Sequence, residues 1–263
     1  MTRTAISPRL AIRIFFSTAA NISDVPDRDE IDAARPDQQE WPTGWHVRHL
    51  AEVGSTNTEL ARAAAAGAPD RSVLVTDHQL AGRGRLDRTW EAPPGANLLA
   101  SVMLRDLSRG PYDPVQRLSL AAVAACEQVA GVRPVLKWPN DLLLGDGKLA
   151  GVLAEAGPRH VVVGIGLNVG WAPPGAALLG AGIRPLTVLA AMLRVYDEVP
   201  PDLTVRYRAD LATLGRRVRA ELPGRASVEG IAVDVDADGG LVIDSGGTLH
   251  TVTAGDIVHL RAV

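Results

Sequence analysis

Five short segments of this chain concentrate side chains that bind anions or small polar ligands. They are Gly54-Ser-Thr-Asn57, Gln79-Leu-Ala-Gly-Arg-Gly-Arg85 with Arg88 and Trp90, Lys137-Trp-Pro-Asn-Asp141, Lys148-Leu-Ala-Gly151 and Gly164-Ile-Gly-Leu-Asn168. Guanidinium groups hold anionic oxygens through charge-assisted, often bidentate hydrogen bonds, and lysine supplies a point charge. Gly82 and Gly84 let a backbone approach closely and adopt positive φ. Each segment also has an ordinary reading when taken alone. Arg-Gly-Arg suits a solvated basic loop, Ser55 or Thr56 a helix N-cap, a single lysine surface charge, and paired glycines tight β-packing.

These residues need a scaffold, and the pattern around them alternates strand and helix. Residues 45–53, 72–78, 97–105, 133–138 and 160–169 read as strands. Residues 141–145 and 148–156 read as a hairpin about Asp146-Gly147. Helices are predicted over 56–66, ended by Gly67, and over 114–130, 185–198 and 201–214. Residues 79–96 have no periodicity, and a gap of that length in a compact domain is usually functional or disordered. Pro139 should stop its strand and turn Asn140 and Asp141 toward the same mouth as Lys137. After Gly215, short Val-rich segments at 216–222, 226–235, 240–244, 247–253 and 256–261 predict a small all-β module.

The whole chain has 263 residues, a formal net charge of -3 and 46% hydrophobic residues. That length fits one sizeable α/β domain plus a small appendix. The charge gives no global basic excess for nucleic acid. The single cysteine, Cys126, lies on an apolar helix face and reads as an inert core thiol. A reducing cytoplasm is the default compartment, and no apolar run is long enough to span a membrane. Residues 1–40 are acidic and aperiodic and read as a disordered leader or a start codon placed too far upstream. Arg13 interrupts the apolar run from Leu10 to Phe16, which argues against a secretion signal. The six histidines show no zinc spacing, and there is no phosphate-binding Gly-x-x-x-x-Gly-Lys loop.

In order and spacing, the motifs from residue 45 to the end resemble those of the biotin protein ligases, in the form without an N-terminal DNA-binding domain. The resemblance implies an α+β fold. A mixed central sheet with packed helices, like that of the class II synthetases, is followed by a small SH3-like β-barrel. It divides the chain into a leader (1–40), a catalytic biotin- and ATP-binding domain (41–214) and a C-terminal barrel (215–263). The implied reaction activates biotin with ATP and Mg²⁺ to biotinyl-5′-AMP, then transfers biotin to one lysine of a carrier domain. That carrier would belong to an acetyl-CoA, other acyl-CoA or pyruvate carboxylase.

The resemblance also assigns residues. Lys137, Arg83 and Arg85 carry the chemistry. Ser55, Thr56, Asn57, Gln79, Gly82, Arg83, Gly84, Arg85, Lys137, Gly164 and Gly166 contact biotin. Arg83, Arg85, Arg88, Trp90, Asn140, Lys148 and Asn168 contact the adenylate, and Asp141 is a candidate for Mg²⁺. Asp87 departs from the family, which usually has glycine there, and a carboxylate beside a polyphosphate should weaken ATP binding. The hydroxyls often found after the Gly164 strand are also missing from residues 175–180. Two alternatives stay open: a lipoate or octanoate ligase of the same superfamily, and a biotin-responsive regulator. Direct DNA binding is not expected, and a homodimer is left open.

Overall fold

The most apolar segments of the sequence form the middle of a seven-stranded mixed sheet, and its edges are half-exposed. The computed structural model describes residues 39–108, 110, 112–222, 226–253 and 256–259, plus the backbone of a two-residue strand, β1 (Thr4–Ala5). The side chains of Asp87, Asp256, Val258 and His259 are outside that description, as is nearly all of the acidic leader expected at 1–40.

The larger sheet comprises β2 (His46–Val53), β3 (Ser72–Gln79), β4 (Leu98–Leu104), β5 (Val135–Lys137), β6 (Asp141–Leu144), β7 (Gly147–Gly157) and β8 (His160–Leu167). Their order is β2-β3-β4-β8-β7-β6-β5. Only β2 and β3 run parallel. β4 is buried along its whole length. Each fully buried Leu or Met there contributes about 1.5–3 kcal/mol relative to exposure, which fixes it at the centre. The hairpin turn falls at Gly145-Asp146, one residue earlier than expected, because Leu144 pairs with Gly147.

Alternate residues of the central strands face opposite sides. On one side, α1 (Thr56–Ala65) packs Leu60 and Ala64 against Leu74, Met103 and Val162. On the other, α2 (Asp113–Ala130) and α3 (Pro185–Glu198) cover Val73, Val75, Val102 and Val163. Pro114 and Pro185 sit in the first turns of their helices, and Gly131 ends α2 at φ 66. Cys126 is buried on α2, and that burial pushes its thiol up to about 12.

The last predicted helix is much shorter than its pattern suggested. α4 spans only Thr204–Asp210. Beyond it the backbone turns extended to bond β5: the Ala212 N–H donates to the Leu136 carbonyl at 2.8 Å. Thr213 Oγ1 then accepts from the Trp138 N–H at 3.0 Å. Tertiary bonding overrides helix propensity here.

The chain ends in a second sheet of β9 (Arg217–Glu221), β10 (Ser227–Val235), β11 (Leu241–Ser245), β12 (Thr248–Val252) and β13 (Asp256–His259), ordered β1-β12-β11-β10-β9-β13. The pairs among β9 to β13 are antiparallel, while β1 adds to β12 in parallel. Val218, Ala220, Leu241 and Ile243 join the same buried cluster as the large sheet. Three polar ties reinforce the junction. The Trp138 indole N–H donates to the Gly239 carbonyl at 2.9 Å, Tyr112 donates to the Thr253 carbonyl at 3.1 Å, and Arg208 pairs with Asp234 at 2.7 Å.

Candidate active site

A cavity of about 570 Å³ opens where β3, β5, β7 and β8 converge with the 79–96 loop. It falls in the size range of small-molecule sites. Its lining includes Ser55, Thr56, Asn57, Gln79, Arg83, Gly84, Arg85, Arg88, Trp90, Lys137, Asn140, Asp141, Lys148, Gly164, Gly166 and Asn168. Of the residues singled out in the sequence, only Gly82 lies behind that lining.

One wall is neutral and buried. Ser55, Thr56 and Asn57 open α1 and are each less than 7% exposed. Ser55 occupies the N-cap position, but its side chain makes no capping bond. The hydroxyls are thus available to the cavity wall and not used to end the helix. Gln79 Oε1 accepts from the Thr56 N–H at 2.8 Å and lies 3.1 Å from Thr56 Oγ1. Ser101, the one polar side chain of β4, reaches Thr56 Oγ1 at 2.7 Å and Asn57 Oδ1 at 2.6 Å. Two hydroxyl protons serve these three side-chain contacts. The amide oxygen of Asn57 can only accept, so Ser101 donates to it. The Thr56 proton is left to alternate between Ser101 and Gln79, and a ligand can bias that choice.

The facing wall is cationic and carried by the loop. Residues 82–90 form a small hairpin, with Arg83 bridged to Thr89 and the Gly84 N–H donating to the Arg88 carbonyl at 2.7 Å. Neither loop glycine uses positive φ. The left-handed residue is Leu86, at φ 54, while Gly84 is extended. Gly82 is needed for space, because a Cβ there would meet the Trp90 carbonyl at 2.2 Å. Arg83 is bound to Glu155 of β7 at 2.9 Å and to Thr58 of α1 at 3.1 Å. Arg85 donates to Asn140 Oδ1 at 3.1 Å, and Asn140 in turn donates to the Val152 carbonyl at 2.8 Å. Asn140 therefore orients an arginine, while its own amide is anchored to β7.

Lys137 ends β5 and faces the same cavity. Among the described residues its ammonium has no hydrogen bond or ion pair, in contrast to Lys148, which pairs with Asp141 at 2.7 Å. Lys148 also lies 5.6 Å from the Trp90 ring centroid. The two sequence glycines make room for protein side chains here. A Cβ on Gly164 would meet Asn57 Oδ1 at 2.2 Å, and one on Gly166 would meet the Trp90 indole at 2.4 Å. Trp90 Nε1 is buried and has no hydrogen-bond partner among the described residues. A buried donor in that state costs about 1–3 kcal/mol until an acceptor arrives.

Asn168 closes the far end. It is 3% exposed, and its Nδ2 donates to the Ala177 carbonyl at 2.9 Å and to the Lys148 carbonyl at 3.3 Å. Sequence reasoning missed Ser101, Glu155 and Asn97, which stand outside the lining, and the C-terminal residues Glu221 and Ile257, which belong to it. Ser101 had a usable signal, as the lone hydroxyl inside an apolar strand. Glu221 and Ile257 had none, because only the packing of two sheets brings them here.

A mixed sheet thus gathers hydroxyls, amides and cations around one small-molecule cavity. Residues 51–170 match the Biotin/lipoate A/B protein ligase family, and residues 213–260 match the biotin protein ligase C terminal domain. The chain is 44% identical over 246 residues to the biotin–[acetyl-CoA-carboxylase] ligase of Mycobacterium tuberculosis, covering 83% of this chain and 91% of that one. It is 30% identical over 239 residues to the namesake ligase of Paracoccus denitrificans, covering 79% and 98%. The biotin protein ligase of Aquifex aeolicus, solved in complex with biotin and ATP, superposes with a TM-score of 0.69 at 25% identity. That match covers 82% of this chain and 99% of the other. The chain belongs to the biotin protein ligase family.

Proposed function

We propose that this chain activates biotin with ATP and transfers it to a lysine of a biotin carboxyl carrier domain, most simply that of an acetyl-CoA carboxylase. One observation carries the reading: a single cavity joins a neutral hydroxyl–amide wall to Arg83, Arg85, Arg88 and Lys137. The neutral wall suits the ureido ring of biotin, which offers two N–H donors and one strong acceptor. The cations suit the encounter of a carboxylate with a triphosphate. These anions repel, and fixed cations in a water-poor cleft offset that repulsion.

In the first step a biotin carboxylate oxygen attacks the α-phosphorus of ATP. The bond to the bridging oxygen breaks, and pyrophosphate leaves with its electron pair. Lys137 stabilises the charge that builds on the α-phosphate and does not form a covalent bond. Closure of the 79–96 loop shields the mixed anhydride from water. In the second step the neutral amine of the acceptor lysine attacks the acyl carbon, AMP leaves, and the amine loses a proton. Binding both reactants in one cleft supplies much of the first-step advantage through proximity.

Mg²⁺ is assigned to the ATP phosphates. Among the described residues no group of three candidate ligands could hold a metal, and Asp141 is already paired with Lys148. Residues 41–214 are taken as the catalytic unit and 215–263 as a C-terminal unit that contributes to the same cavity. A cytoplasmic location goes with this reading. Among the described residues no helix is long and apolar enough to cross a membrane.

The test mixes the protein with biotin, Mg-ATP and a carrier domain, and follows the carrier's mass. A biotin-sized gain on its lysine supports the reading. A gain with lipoate and none with biotin would replace it with the lipoate alternative.

A further inference from the structure

Asn97 immediately precedes β4, does not line the cavity, and is 2% exposed. A buried amide without partners would be destabilising, so its bonds show what it is for. Its Oδ1 accepts from the Val169 N–H at 3.0 Å and from the Trp171 N–H at 3.2 Å. Its Nδ2 donates to Asn168 Oδ1 at 3.3 Å. Beside it the Gly170 N–H donates to the Ala96 carbonyl at 2.9 Å. The chain leaving β8 is thus captured at three successive residues by Ala96 and Asn97.

The Asn97 bond to Asn168 also sets which way the second amide points. With its oxygen held by Asn97, Asn168 presents Nδ2 to the carbonyls of Ala177 and Lys148. The Ala177 N–H returns a bond to the Lys148 carbonyl at 3.0 Å, and the Leu179 N–H one to the Asn168 carbonyl at 3.0 Å. Lys148, Pro173 and Ala176 line the cavity on this side. The two amides therefore clip together the β6–β7 hairpin, the end of β8 and the 171–180 loop. Among the described residues no hydrogen bond of Asn97 or Asn168 reaches Ser55, Thr56 or Gln79.

We propose that Asn97 is a positioning residue for the nucleotide half of the cavity, acting through Asn168 and leaving the biotin half alone. The inference rests on the functional reading above and on the family resemblance, which assigns Asn168 to the adenylate. Buried amide networks rigidify the surfaces they join, and a network confined to one end of a cavity affects one substrate.

The native chain is first checked for biotinyl-AMP formation; if it makes none, the functional reading fails and not this proposal alone. In Asn97→Ala, the KM for ATP is expected to rise roughly 10-fold or more, from the loss of buried hydrogen bonds. The Kd for biotin, measured without nucleotide, should stay at the native value. An equal loss for both ligands, or an unchanged ATP KM, overturns the proposal. Asn97→Asp keeps both acceptor contacts to the 169 and 171 N–H groups and puts a carboxylate oxygen in place of the donor to Asn168. It should show the same ATP-selective loss even where the alanine variant does not fold, and a native ATP KM would count against the proposal. Finally, Asn168→Ala and the Asn97→Ala/Asn168→Ala double variant should match each other in ATP KM. Additive losses would mean that Asn97 does not work through Asn168.

Discussion

The two walls of the cavity are held in opposite ways. The Ser55–Asn57 wall is buried, uncharged and already bonded to Gln79 and Ser101 on neighbouring strands. The arginine wall lies on a loop hairpin, and Arg83 is 38% exposed in its bond to Glu155. A prebuilt neutral wall favours selection of a shape and a hydrogen-bond pattern. A loop-borne cationic wall favours entry followed by closure. Substitutions in the first wall should therefore change which ligand binds, and substitutions in the second how long the activated intermediate is kept.

The largest effect is expected at the boundary between the walls. Lys137→Ala should cut adenylate formation by about 100-fold or more, as for loss of a fixed transition-state charge, with biotin affinity less affected. Pyrophosphate release measures it, and a near-native rate would remove Lys137 from the mechanism. Next comes the neutral wall. Thr56→Val keeps the side-chain volume but loses the hydroxyl shared by Gln79 and Ser101, and should weaken biotin binding roughly 10-fold by titration. A change in ATP KM alone would reverse the roles given to the two walls.

Glu155→Gln probes the loop latch. Biotinyl-AMP should escape or hydrolyse about 3- to 10-fold faster, in line with a partly buried ion pair worth about 1 kcal/mol. In an Arg83→Met background the same change should add nothing, and a further loss would give Glu155 a role independent of Arg83. The smallest effect is expected for Asp87→Gly. Removing one negative charge from the loop should lower the ATP KM by about twofold, a single-charge effect. An identical KM would show that Asp87 has no influence on nucleotide.

Much of this arrangement was legible before any coordinates. Strands such as 72–78 and 97–105 and the helix at 185–198 follow from their apolar runs, which are buried. The arginine- and lysine-bearing motifs lie at strand ends, and Gly164 and Gly166 inside β8 leave room there for Asn57 and Trp90. Three features were not legible. The left-handed turn sits at Leu86, where local sequence gives no glycine signal. Residues 211–213 leave the helical pattern to bond β5, a choice set by tertiary contacts. Asn97 acts by partnering residues far along the chain, so only the placement of β4 against its neighbours exposes it.

The Trp138 indole, anchored on the Gly239 carbonyl, lies one residue beyond Lys137. Lys137 is thus braced from the far end of the polypeptide. A shortened version ending near Gly215 would strip that brace and strand an indole donor in water.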